Sequence, residues 1–137
     1  MFKKILHAND GSEHAFNALS LALQIAKHDH AELHMVSVEE RGHPPELAEE
    51  TAKDAGPIHF NEVLRRGRHM AEQNQVKFQS HVLAGHPVRD VVKLASDLRV
   101  DLIVVGASGH SALYDRMIGS RAQRILYLAA CPVLVAR

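Results

Sequence analysis

Five short apolar runs alternate with four longer amphipathic runs along this 137-residue chain. That strict alternation leaves few folds open. Phe2–Ala8, Leu33–Val38, Lys77–Leu83, Asp101–Gly106 and Pro132–Ala136 read as strands. Phe16–Lys27, Pro57–Gln75, Pro87–Leu98 and Ser120–Ala130 read as helices. Strand, helix, strand in this order demands crossover connections, and so a parallel sheet covered on both faces. The fourth strand, Leu102-Ile-Val-Val105, is apolar at successive positions, as a strand buried on both sides should be.

The helices carry matching stripes. Ala15, Ala18, Leu19, Ala22, Ile25 and Ala26 share one face of the first helix. In the second, Phe60, Val63, Leu64, Met70 and Ala71 point inward, with Arg65, Arg66, Arg68 and Glu72 outward. The third opens with Pro87 in its first turn and turns Val88, Val91, Val92 and Ala95 to the sheet. The last turns Ala122, Ile125, Leu126 and Ala129 inward. Residues 1–137 read as one domain, without internal repeat or low-complexity tract. Glu39–Gly56, with Pro44, Pro45 and five glutamates, reads as an excursion with a helical turn near Leu47.

Composition excludes several classes of function. Formal net charge is +0, so nothing draws the chain to nucleic acid or to an anionic membrane. No apolar run reaches the ~20 residues of a membrane span, and the run after Lys3 and Lys4 is too short for a signal peptide. The single cysteine, Cys131, fits a reducing compartment and reads as a buried small residue before Pro132. A cytoplasmic protein is expected. His28, His30 and His34 are close in sequence but read as scattered surface histidines, with no metal site.

The loops after strands 1 and 4 are the most suggestive. With strand order 3-2-1-4-5 the order reverses between these strands, where open parallel sheets bind ligands. After strand 1 comes Asn9-Asp10-Gly11-Ser12. After strand 4 comes Gly106-Ala-Ser-Gly109-His110, and then Gly119-Ser120 at a helix start. Glycines admit an anion to the backbone, and helix N–H groups point at it. Asp10 either accepts from a ribose or adenine group or is a turn aspartate, with Ser12 capping the helix. Gly106, Gly109 and Gly119 are either phosphate-loop or ordinary loop glycines. Arg121 sits in a helix first turn, where a cation is disfavoured by about 0.3–1 kcal/mol. Either a bound anion removes that conflict or the side chain extends into solvent. Arg116 and His110 are also within reach of a phosphate, with Asp115 opposing them.

These residues resemble the universal stress protein A family over essentially the whole chain. Ile5-Leu-His-Ala-Asn-Asp10-Gly-Ser-Glu-His14 looks like the family's first strand and turn. Gly106-x-x-Gly109, nine residues, then Gly119-Ser120 is similar to its nucleotide-binding pattern. Cys131-Pro-Val-Leu-Val-Ala-Arg137 looks like its last strand. The resemblance implies a Rossmann-like α/β fold of adenine-nucleotide-binding type: an open five-stranded parallel sheet in order 3-2-1-4-5 with helices on both faces. It implies a bound ATP or AMP, with Mg2+ a candidate companion, and a homodimer. Carried over, Asp10 contacts adenine or ribose and Val38 lines the adenine pocket. Gly106 and Gly109 wrap the ribose and first phosphates, and Gly119 and Ser120 hold the outer phosphates. His110 and Arg121 depart from the family at the phosphate end, and His7-Ala8-Asn9 is more polar than usual before Asp10. Val133 and Val135 on an edge strand agree with pairing through strand 5.

Other folds with this alternation fail on specific residues. A receiver domain needs an acidic pair after strand 1, an aspartate after strand 3 and a lysine after strand 5. Here Asp10 is alone, Ala84-Gly85-His86-Pro87 follows strand 3, and the chain ends at Arg137. Neither G-x-G-x-x-G after strand 1 nor a Walker loop is present. No base can be assigned beside Ser120, so the expected function is a nucleotide-binding regulatory protein rather than an enzyme, with at most slow hydrolysis. The alternative is a nucleotide-independent dimeric interaction protein of the stress response.

Overall fold

A computed structural model describes residues 1–40, 57–107 and 117–137. Its strands are β1 (Lys4–Ala8), β2 (Glu32–Glu40), β3 (Phe78–Gly85), β4 (Leu102–Gly106) and β5 (Val133–Ala136). Its helices are α1 (Glu13–Asp29), α2 (Pro57–Gln73), α3 (Arg89–Leu98) and α4 (Ser120–Leu128). The strands form one parallel sheet in the order β3-β2-β1-β4-β5, as expected.

Alternation along each strand divides the core in two. Ile5, Leu33, Met35, Leu102 and Val104 pack under α1 and α2. Leu6, Val36, Ile103 and Val105 pack under α3 and α4. The successive apolar residues of β4 therefore serve both faces. α1 buries Phe16 and Leu23 as well as the expected stripe, and Ile25 is only half-buried.

Several boundaries and faces differ from expectation. β2 runs through Glu39 and Glu40, which pair with Ala84 and Gly85 of β3, so these two glutamates are strand rather than excursion. The rest of that excursion, including the turn near Leu47, lies outside the described residues. Pro87 precedes α3 instead of occupying its first turn. His86 Nδ1 accepts from the Val88 and Arg89 amides at 3.2 Å, and Asp90 Oδ2 accepts from the His86 amide at 2.7 Å. This reciprocal cap starts the helix two residues late. Leu126 is 45% exposed: the stripe of α4 centres on Ala122 and Ile125, and Leu126 lies on its flank.

His34 is the largest correction among the polar residues. It is buried in β2, not on the surface. Its Nε2 donates to Glu32 at 2.9 Å, and its Nδ1 lies 2.9 Å from His81 Nε2. His28 and His30 are exposed as expected. Among the described residues no group of three or more His, Cys, Asp or Glu is arranged to hold a metal. Nor is any described helix long and apolar enough to cross a membrane. Cys131 is half-buried, and burial raises its thiol pKa, which keeps it protonated.

Candidate functional site

β1 and β4 are neighbours whose partners lie on opposite sides, so the chain leaves them in different directions and a crevice opens at their carboxyl ends. It is an open crevice with a cavity volume of about 100 Å³. Asp10, Val38, Gly106 and Arg121 all line it. Gly119 and Ser120 begin α4 beside Arg121 but are not among the lining residues. Gly109 and His110 lie outside the described residues, as do Asp115 and Arg116. Also lining the crevice are Asn9, Ser12, His14, Pro87, Ala122 and Ile125.

The loop after β1 is built from side-chain caps. Asn9 Oδ1 accepts from the Gly11 amide at 2.8 Å, and Asp10 Oδ1 from the Ser12 amide at 2.9 Å. Ser12 Oγ then accepts from the Ala15 amide at 3.2 Å and caps α1. Gly11 has φ 86°, which suits glycine. Asp10 is therefore a turn aspartate, and it is at the same time an exposed residue facing the crevice. Val38 is half-buried two residues before the end of β2.

Gly106 has a packing reason of its own. A Cβ there would stand 2.9 Å from the His14 carbonyl oxygen and 3.2 Å from its carbon. The first turn of α1 thus lies directly against the end of β4. Both loops of the crevice meet at this contact.

At the other end, Gly119 is the N-cap of α4 and has no side chain with which to cap it. The first-turn amides of that helix are where an anion is favoured. Arg121 meets a carboxylate of the chain itself. Its guanidinium pairs with Glu40 at the end of β2. The carboxylate offsets the unfavourable placement of a cation at a helix start. Glu40 is the partner most hidden in the sequence, because only the β2–β3 register places it at a strand end beside Arg121. His14 also lines the crevice, where the first turn of α1 comes close to the end of β4.

Beneath the loop lies His7, fully buried in β1. Its Nδ1 lies 2.9 Å from the Val104 carbonyl oxygen and its Nε2 3.2 Å from Asn9 Nδ2. Burial pushes its pKa down to about 4, against the raising effects of the Val104 carbonyl and Asp10.

Comparison with known proteins agrees with this architecture. The model of the universal stress protein family matches residues 1–137. The chain is 34% identical to universal stress protein MJ0531 of Methanocaldococcus jannaschii, covering all of this chain and 83% of that protein. It is 33% identical to universal stress protein YxiE of Bacillus subtilis, covering both in full. The solved UspA of Lactobacillus plantarum superposes with a TM-score of 0.82 at 27% identity, over 98% of this chain and 97% of that one. A universal stress protein crystallised with cAMP gives a TM-score of 0.79 at 25% identity, over 99% and 97%. The chain belongs to the universal stress protein family.

Proposed function

We propose that this protein binds an adenine nucleotide, ATP or AMP, in the crevice between β1 and β4, and acts as a cytoplasmic regulatory protein with at most slow hydrolysis. The observation that carries the reading is the convergence of Asp10, Val38, Gly106 and Arg121 on one crevice at the point where strand order reverses. The relative crystallised with cAMP supports the ligand class. In this reading Asp10 and Val38 meet the nucleoside and Gly106 the ribose. The start of α4, with Gly119, Ser120 and Arg121, meets the phosphates, and Gly109 and His110 complete that end. Mg2+ accompanies ATP by neutralising phosphate charge. Residues 1–137 act as one domain.

Calorimetric titration of the nucleotide-stripped protein with AMP and with Mg-ATP tests the reading. Saturable micromolar binding, weakened by Arg121→Ala, is expected. No heat of binding at millimolar nucleotide would overturn it.

A separate observation favours the second reading, a dimeric interaction protein. β5 is an edge strand, and Met117, Leu126, Tyr127 and Leu128 are exposed apolar residues. In this reading two copies pair through β5, whose Val133 and Val135 are half-buried. Sedimentation of the native chain and of Val135→Lys tests it, with a dimer expected to become a monomer.

A further inference from the structure

We propose that His7 is a positioning residue for the crevice: it fixes the Asn9 side chain, so the Asn9–Ser12 loop is set before any ligand arrives. The proposal rests on the nucleotide reading only for the identity of that ligand.

The His7 ring turns Nδ1 to the Val104 carbonyl. A carbonyl oxygen only accepts, so the nitrogen facing Val104 carries the proton and Nε2 is bare. The bare Nε2 accepts from Asn9 Nδ2. This decides the orientation of the Asn9 amide, leaving Oδ1 for the Gly11 amide. With the amide reversed, its oxygen would face the bare Nε2 and its NH2 group would face the Gly11 N–H. Both pairs would be mismatched in a buried place. The His7 tautomer therefore selects the orientation of Asn9.

Asn9 is held by its backbone as well. Its N–H donates to the Val36 carbonyl at 2.9 Å, and its carbonyl accepts from Ser37 Oγ at 2.8 Å. Three strands thus converge on one residue: β4 through His7, β1 directly, and β2 through Val36 and Ser37. Asn9 is 3% exposed and also lines the crevice, so the buried relay ends at the ligand's side of the wall. Such preorganisation removes the loop-ordering cost from binding.

Burial keeps the ring neutral against the raising effects of the Val104 carbonyl, Asp10 and the Ala15 backbone. Asp10 is the carboxylate that acts on His7, and burial outweighs it. The first turn of α1 contributes Glu13 and His14, both exposed. On this face β2 presents Met35 and β4 presents Val104, neither of which titrates.

Nitrogen-15 NMR of the histidine rings tests the proposal in the ligand-free protein. At pH 7 the native His7 is expected as the neutral Nδ1–H tautomer. Asn9→Asp places a carboxylate where the amide donated, so His7 should take a second proton and become an imidazolium at pH 7. An Nε2–H tautomer in the native protein, or a ring unchanged by Asn9→Asp, overturns the proposal.

In His7→Leu the Gly11 amide should exchange about tenfold faster, and AMP should bind about five- to tenfold more weakly. Unchanged Gly11 exchange in a folded His7→Leu also overturns the proposal. If that variant fails to fold, the ring states of the native protein and Asn9→Asp decide. If AMP fails to bind the native protein, the nucleotide reading fails, while ring state and Gly11 exchange still decide the positioning role.

Discussion

Replacing Gly106 by alanine separates two reasons for a glycine at the end of β4. One is approach of a ligand; the other is approach of α1. The added methyl carbon would lie 2.9 Å from the His14 carbonyl oxygen, 3.2 Å from its carbon and 3.5 Å from the Ala15 nitrogen. These are backbone atoms of a helix turn anchored by the Ser12 cap, so no flexible side chain can swing aside. The first turn of α1 must move, and overpacking of this kind costs about 1–3 kcal/mol. At about 3–5 °C per kcal/mol for a domain of this size, the melting temperature should fall by roughly 3–15 °C. Because the displaced turn carries Ser12 and His14, nucleotide binding should weaken in the same variant. Thermal unfolding followed by circular dichroism, with AMP titration beside it, reads both quantities. A melting temperature within about 1 °C of native, with AMP binding abolished, would refute the packing argument.

His7 makes the protein acid-sensitive. Its folded pKa lies below that of the unfolded chain, so the unfolded state binds more protons and stability rises with pH between the two values. The contribution is complete above about pH 6.5 and lost progressively toward pH 4; about 2 kcal/mol should disappear between pH 7 and pH 5. Urea unfolding at the two pH values measures it, and a His7 ring that titrates near pH 6.5 would contradict it. Glu40→Gln removes the carboxylate that occupies Arg121 and should tighten Mg-ATP binding. The same change should alter stability by less than about 1 kcal/mol, because the Arg121 side chain is 52% exposed; weaker ATP binding in this variant would count against Arg121 as a phosphate contact. Ile125→Ala should cost about 2–5 kcal/mol and Leu126→Ala much less, because one is buried and its neighbour is 45% exposed. Equal losses in urea unfolding would mean that Leu126 is covered in solution.

What was legible in the sequence was what local pattern determines. Alternating apolar runs implied the parallel sheet, and Leu102-Ile-Val-Val105 marked a strand with a core on both sides, which β4 has. Asp10-Gly11-Ser12 could be read as a turn and cap because those interactions span only two or three residues. What stayed hidden depends on partners distant in the chain. The ring of His7 is satisfied by a carbonyl 97 residues away, so nothing near it marks it as buried. Glu40 reads as the start of an acidic excursion, and only its pairing with Gly85 reveals a strand end facing Arg121, 81 residues on. His34 is buried because His81 and Glu32 satisfy both ring nitrogens, a pairing set by β2–β3 register. Gly106 could be recognised as a loop glycine, but its contact with the backbone of His14 could not.

Amide chemical-shift mapping during an AMP titration asks whether an adenine nucleotide occupies the crevice between β1 and β4. Saturable shifts are expected at Asp10, Gly11, Val38, Gly106, Ala107 and the first turn of α4 from Ser120 to Ala122, with the outer surface of α2 unaffected. Saturable shifts confined to α2 or to the β3 edge, or no shifts at millimolar AMP, would contradict nucleotide occupancy of the crevice.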